Sequence, residues 1–138
     1  MLTKADLEAL AAVRLDDSLI LLAAGKSSSA YYLAGYAVEL ALKACIAKSF
    51  HANVIPDKAF VAAIYTHSLE SLMSTAGLLP QFKTDSLKSP QFAAAWGIVS
   101  KWTEGSRYEL WDPISAATLL SAINDPHHGV FQWVKKFW

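Results

Sequence analysis

Apolar positions recur at three- and four-residue intervals along most of the chain, the spacing of one face of an α-helix. Leu7, Leu10, Ala11, Arg14, Ser18 and Leu21 define the first such face, and Gly25 is a natural stop after it. Ser27 to Ser29 then supply N-cap side chains for a second helix, predicted to run to about Phe50. That helix is apolar on every side except at Glu39 and Lys43, which places it at the centre of the molecule. Its Ala30, Ala34, Gly35, Ala37, Ala41 and Ala44 let neighbouring backbones come close, a use that offsets the poor helix propensity of Gly.

Asn53 and Pro56 interrupt the pattern, so residues 51–56 read as a connection, with helix resuming from Asp57. Leu69, Leu72 and Met73 predict a helix over 68–76, ended by Gly77, and residues 80–88 read as loop. Ser89-Pro90, Asp112-Pro113 and Asp125-Pro126 each pair a cap residue with proline at the first helical position, where its missing N–H costs nothing. The three helices they open carry Phe92, Trp96, Val99 and Trp102 (ended by Gly105), then Ile114, Ala117, Leu120 and Ile123, then Val130, Trp133, Val134 and Phe137. No strand alternation, hairpin dipeptide or internal repeat interrupts this sequence of helices. The expectation is one all-α domain over 1–138, a bundle of about five or six helices.

Composition sharpens the picture. The 138 residues are 54% hydrophobic and only 17% charged, against about 25% charged in average domains. Disorder is excluded by the apolar content. Lys plus Arg equals Asp plus Glu at 12 each, so no net positive charge favours a clamp on nucleic-acid phosphates. Residues 30–47 approach the length of a membrane span, but Glu39 and Lys43 would each cost about 2.5–3.5 kcal/mol at mid-bilayer. No span and no membrane partner are expected, and a subunit interface is the better destination for the surplus. The early acids and missing apolar h-region argue against a secretion signal, and the lone Cys45 fits a cytoplasmic chain.

Several chemistries are missing. There is no HExxH, no phosphate-binding glycine loop and no GxSxG elbow, and Cys45 reads as a packed thiol. His127 and His128 are adjacent rather than four apart, reading as an exposed first-turn pair, so neither metal nor cofactor is expected. What remains are charges on apolar faces. Arg14 and Asp17 are i,i+3 neighbours and read first as a structural pair. Glu39 and Lys43 are i,i+4, either a register-setting ion pair or part of a polar pocket. His67 stands where it could cap the helix at 68–76. Glu104, Arg107 and Tyr108 stand where a helix gives way to a loop, either as a site or as a plain ion pair beside a packed phenol.

The run 31–44, Tyr-Tyr-Leu-Ala-Gly-Tyr-Ala-Val-Glu-Leu-Ala-Leu-Lys-Ala, resembles the second helix of HEPN domains, named for higher eukaryotes and prokaryotes nucleotide-binding. Ala12-x-Arg14-x-x-Asp17, His67-x-Leu69-x-x-Leu72, Trp102-x-Glu104-x-x-Arg107-Tyr108 and Val130-x-x-Trp133 follow in a similar order. The resemblance spans nearly the whole chain and implies a four- or five-helix up-and-down bundle with short extra helices, usually a homodimer. It also implies a nucleotide or RNA ligand and a nucleotidyltransferase partner, as in toxin–antitoxin-like pairs. Many family members are metal-independent ribonucleases in which Arg is followed, after about four to six residues, by a His acting as acid–base. Here the corresponding positions after Arg107 are Asp112, Pro113 and Ile114, and those after Arg14 are Leu19, Ile20 and Leu21. The motif is missing, which leans against an enzyme. The expected ligand-binding group is Glu39, Lys43, Glu104, Arg107 and Tyr108, with His67 and Arg107 as the residual candidates for catalysis.

Overall fold

In the computed structural model, which describes residues 1–138, the chain is all-helical. Its longer helices are α1 (Lys4–Ala23), α2 (Ser27–Ala47), α5 (Leu79–Lys88), α6 (Pro90–Val99) and α7 (Pro113–Asn124). Short α3 (Lys58–Ile64), α4 (Leu69–Thr75) and α8 (Val130–Lys135) join them, with one 3-10 turn at Glu104–Tyr108. The eight α-helices exceed the five or six read from periodicity: residues 79–88 add α5, and the short α3, α4 and α8 each stand as separate helices of one or two turns.

Local chemistry explains the starts. Thr3 and Asp6 form a reciprocal capping box at α1, while Ser89 and Asp112 each accept a backbone N–H ahead of a proline. Gly25, at φ 78°, turns the chain back so that α1 and α2 lie antiparallel. α2 is central as its pattern demands, packing against α1, α4, α7, α8 and the 3-10 turn. It is also the one helix long and apolar enough to cross a membrane, and 72% of its most apolar window is buried within the protein.

Four details depart from the sequence expectation. Residues 80–88 form α5 rather than a loop, with Pro80 in the first turn where it is tolerated. Few apolar positions mark this helix. It is held by Phe82, edge-on to Phe92, Trp96 and Trp133, and by Asp85, which accepts from Trp133 Nε1 at 2.8 Å. α6 stops at Val99 instead of Gly105, so that Trp102 can fold back over Gly35 of α2. Asp125-Pro126 opens a turn, not a helix: the Asp125 carboxylate accepts from the His127 and His128 N–H groups at 3.0 and 2.6 Å, and α8 begins only after Gly129. The His pair therefore sits in a turn rather than on a helix. On α7 the buried stripe is Ala116, Leu119, Leu120 and Ile123, leaving Ile114 and Ala117 exposed.

Candidate functional site

The expected polar residues converge, with one exception. Glu39 on α2 is only 1% exposed, and an isolated carboxylate there would be costly. Its Oε1 accepts from Lys43 Nζ at 3.0 Å and lies 2.9 Å from His67 Nδ1. The i,i+4 spacing supplies Lys43 from the same helix face, whereas His67 arrives from the short link between α3 and α4. Ser68, not His67, caps α4, accepting from the Ser71 N–H, which leaves the imidazole free to turn inward to Glu39.

The line of charge continues outward. His67 Nε2 lies 3.6 Å from Glu104 Oε2, and the other Glu104 oxygen is 3.0 Å from Arg107 Nη1. The Arg107 guanidinium stands 4.8 Å from the centre of the Tyr108 ring, within cation–π range. Lys43, Glu39, His67, Glu104, Arg107 and Tyr108 thus form one string from the core to the surface. It starts at a fully buried carboxylate and ends at a tyrosine that is 79% exposed.

Two short segments form the walls of a cleft of about 460 Å³, residues 66–70 on one side and Ser100 with 102–105 on the other. His67 and Glu104 face each other across it. The opposite wall holds its place because Trp102, 2% exposed, lies directly on Gly35: a Cβ there would sit 2.2 Å from the indole. Tyr32 stacks on both Tyr36 and Trp102, and burial pushes its phenol pKa up, with the Arg107 charge opposing. Glu39 Oε2 on α2, and Trp102 Nε1 and Ser106 Oγ on the stretch that forms one wall and runs on into the 3-10 turn, are among the buried polar atoms without a protein partner, as are Trp111 Nε1 and Trp138 Nε1 elsewhere. Trp102 and Ser106 belong to the stretch 102–108 that stands out in the sequence, and Tyr32 shares a helical face with Glu39; the packing of Trp102 on Gly35 and Tyr32 comes only from the tertiary fold.

Hydrogen bonding defines what His67 can do. A neutral imidazole donates through one nitrogen and accepts through the other. Glu39 requires a donor, so neutral His67 carries its proton on Nδ1 and presents the Nε2 lone pair to the cleft. At 3.6 Å, Glu104 is too far to share a hydrogen bond with Nε2, so that nitrogen has no hydrogen-bond partner in the protein.

Arg14 and Asp17 stand apart. They pair at 3.3 Å, but their side chains are 35% and 44% exposed, so they interrupt no dry face and no ion pair ties them to the string. A larger groove, about 820 Å³ between α6 and α7, is lined by Ala94, Ile98, Ile114 and Ala117 and contains none of the expected site residues. No group of three or more His, Cys, Asp and Glu is placed to hold a metal ion. No protein-family model, curated protein or solved structure matches the chain.

Proposed function

We propose that the chain is a HEPN-like binding module, cytoplasmic and dimeric, that takes a nucleotide-type phosphate ester at the His67–Glu104 cleft. The observation carrying this reading is the convergence of His67 and Arg107, from segments 40 residues apart, on the single carboxylate Glu104. In this reading Arg107 holds phosphate at the mouth, Tyr108 offers a ring face to a base, and His67 bonds the ligand inside. Glu39 and Lys43 hold His67 in place from below. The family resemblance adds a nucleotidyltransferase partner of toxin–antitoxin type. Calorimetric titration with nucleoside monophosphates and a short single-stranded RNA tests the module; loss of affinity in Arg107→Ala and Tyr108→Ala supports it. Affinity that is absent in wild type, or equal in all three proteins, rejects it.

A second reading has its own observation. A buried carboxylate on Nδ1, with Nε2 open to the cleft, is the arrangement that orients a histidine as a general base. It supports metal-independent RNA cleavage, with His67 taking a proton and Arg107 countering phosphate charge, in place of the missing Arg-then-His motif. Incubating RNA with the protein in chelator decides it: cleavage that His67→Ala abolishes supports the enzyme, and intact RNA with wild type removes it.

A further inference from the structure

α6 and α7 are the two α-helices with no Asp, Glu, Lys or Arg anywhere along their length. They pack on each other, yet neither is covered on its outer side. Ala94 and Ile98 are exposed on α6, and Ile114, Ala117, Thr118 and Ser121 on α7. A surface helix ordinarily turns charged residues outward, and a helix without them is ordinarily covered.

The relief of this face matters as much as its polarity. The outer edge of α7 stands between two grooves. One, about 820 Å³, lies against α6, and the other, about 340 Å³, lies against α1 with Leu19 and Leu22 in its wall. Ala117, Ser121 and Asp125 line both grooves and so form the ridge between them. Asp125 is the one formally charged residue in either lining, and it sits beyond the end of α7, 3.4 Å from His128. A ridge beside a groove is its own complement: a two-fold axis sets the ridge of each copy into the α6–α7 groove of the other. Ile114, 80% exposed, is then the side chain that projects across. A two-fold also brings each charge toward its own kind, and the middle of this face holds none to repel.

The area agrees. A compact monomer of 15.0 kDa presents about 7,000 Å² to water by the scaling of surface with mass. This chain presents 7793 Å². The excess of about 750 Å² is close to the 800 Å² or so that each partner buries in a standard interface.

We propose that two copies of the chain pack through the α6–α7 face about a two-fold axis beside α7. The proposal gives a face to the dimer named above and rests on that dimer alone. None of the residues lining the groove lines the His67–Glu104 cleft, so it stands or falls separately from the nucleotide.

Sedimentation equilibrium of the whole chain, from low to high micromolar concentration, measures its mass with no ligand present. Wild type should reach twice the chain mass. Ile114→Glu with Ala117→Glu places like charges across the axis and should raise the dissociation constant at least about a hundredfold. Ala94→Glu with Ile98→Glu, on the other wall of the groove, should do the same. Ile55→Glu, at a position 95% exposed on the loop after α2, should leave the dimer unchanged. All five positions are exposed, so circular dichroism and melting like those of wild type confirm that folding is intact. A wild type that stays monomeric at every concentration overturns the proposal. So does a dimer that both groove variants leave intact, or that Ile55→Glu weakens equally.

Discussion

The α1–α2 hairpin and the short segments that flank the cleft obey different physics. α2 buries nearly every side chain from Ala30 to Ile46, and its partner helix stacks against it along most of its length. α3, by contrast, buries no residue, and the 3-10 turn buries only Ser106. The candidate site lies where these regimes meet: Glu39 and Lys43 come from the dry helix, while His67, Glu104, Arg107 and Tyr108 come from thin, half-exposed segments. A rigid helix supplies the fixed carboxylate, and short segments supply groups that can reach a ligand.

The largest test of that contrast is packing. Leu42→Ala, at a fully buried position, should cost about 2–5 kcal/mol in urea unfolding. Ala62→Gly, exposed on α3, should cost only about 0.5–1 kcal/mol. Equal costs would erase the distinction between the two regions.

The seam between them is more delicate. Gly35→Ala drives a Cβ into the Trp102 indole and should cost about 1–3 kcal/mol, with a changed near-ultraviolet circular dichroism spectrum. Glu39→Gln removes the charge shared by Lys43 and His67. Both partners retain access to water, so a cost of about 1–3 kcal/mol is expected. Replacing Glu39 and Lys43 together by leucine should restore most of that stability. If nucleotide affinity then survives, the pair sets helix register and does not serve the site.

Smaller effects lie away from the seam. The Trp133 indole N–H holds the Asp85 carboxyl below its ordinary pKa of 3.8, helped by Gln81. A carboxyl depressed on folding contributes stability above its unfolded pKa and loses it as pH falls through the lower native value. Acid unfolding of Asp85→Asn should therefore be less steep below about pH 4 than that of wild type. Arg14→Ala, at an exposed pair, should change stability by less than about 1 kcal/mol.

These contrasts also explain what was legible in the sequence. α1, α2, α6 and α7 announced themselves through periodicity and caps, because burial of one face and proline at the first turn both leave a local signature. α5 did not, since its fixing contacts, Phe82 with three aromatic rings and Asp85 with Trp133, are made with distant residues. Asp125-Pro126 misled for the opposite reason: the same dipeptide serves a turn when the Asp125 carboxylate bonds the next two free N–H groups. At the candidate site, polar residues in apolar company pointed to Glu39 and Lys43, which the fold pairs in the interior, and the helix-to-loop position pointed to Arg107, which pairs with Glu104. The expected structural pair of Arg14 and Asp17 is present, but on an exposed face and not a dry one, because periodicity does not report how far a face is covered. His67 looked like a cap, and its bond to Glu39 depends on a tertiary approach across 28 residues.

The central claim is that His67, Glu104 and Arg107 act together on one phosphate-bearing ligand. Titration of a short single-stranded RNA, followed through the His67 imidazole resonances by NMR in wild type and Arg107→Ala, addresses it directly. The account predicts that RNA shifts the wild-type His67 signals and that Arg107→Ala weakens the response at least about tenfold, the loss of one charge-assisted contact. Unmoved His67 signals at saturating RNA, or identical curves for the two proteins, would contradict it.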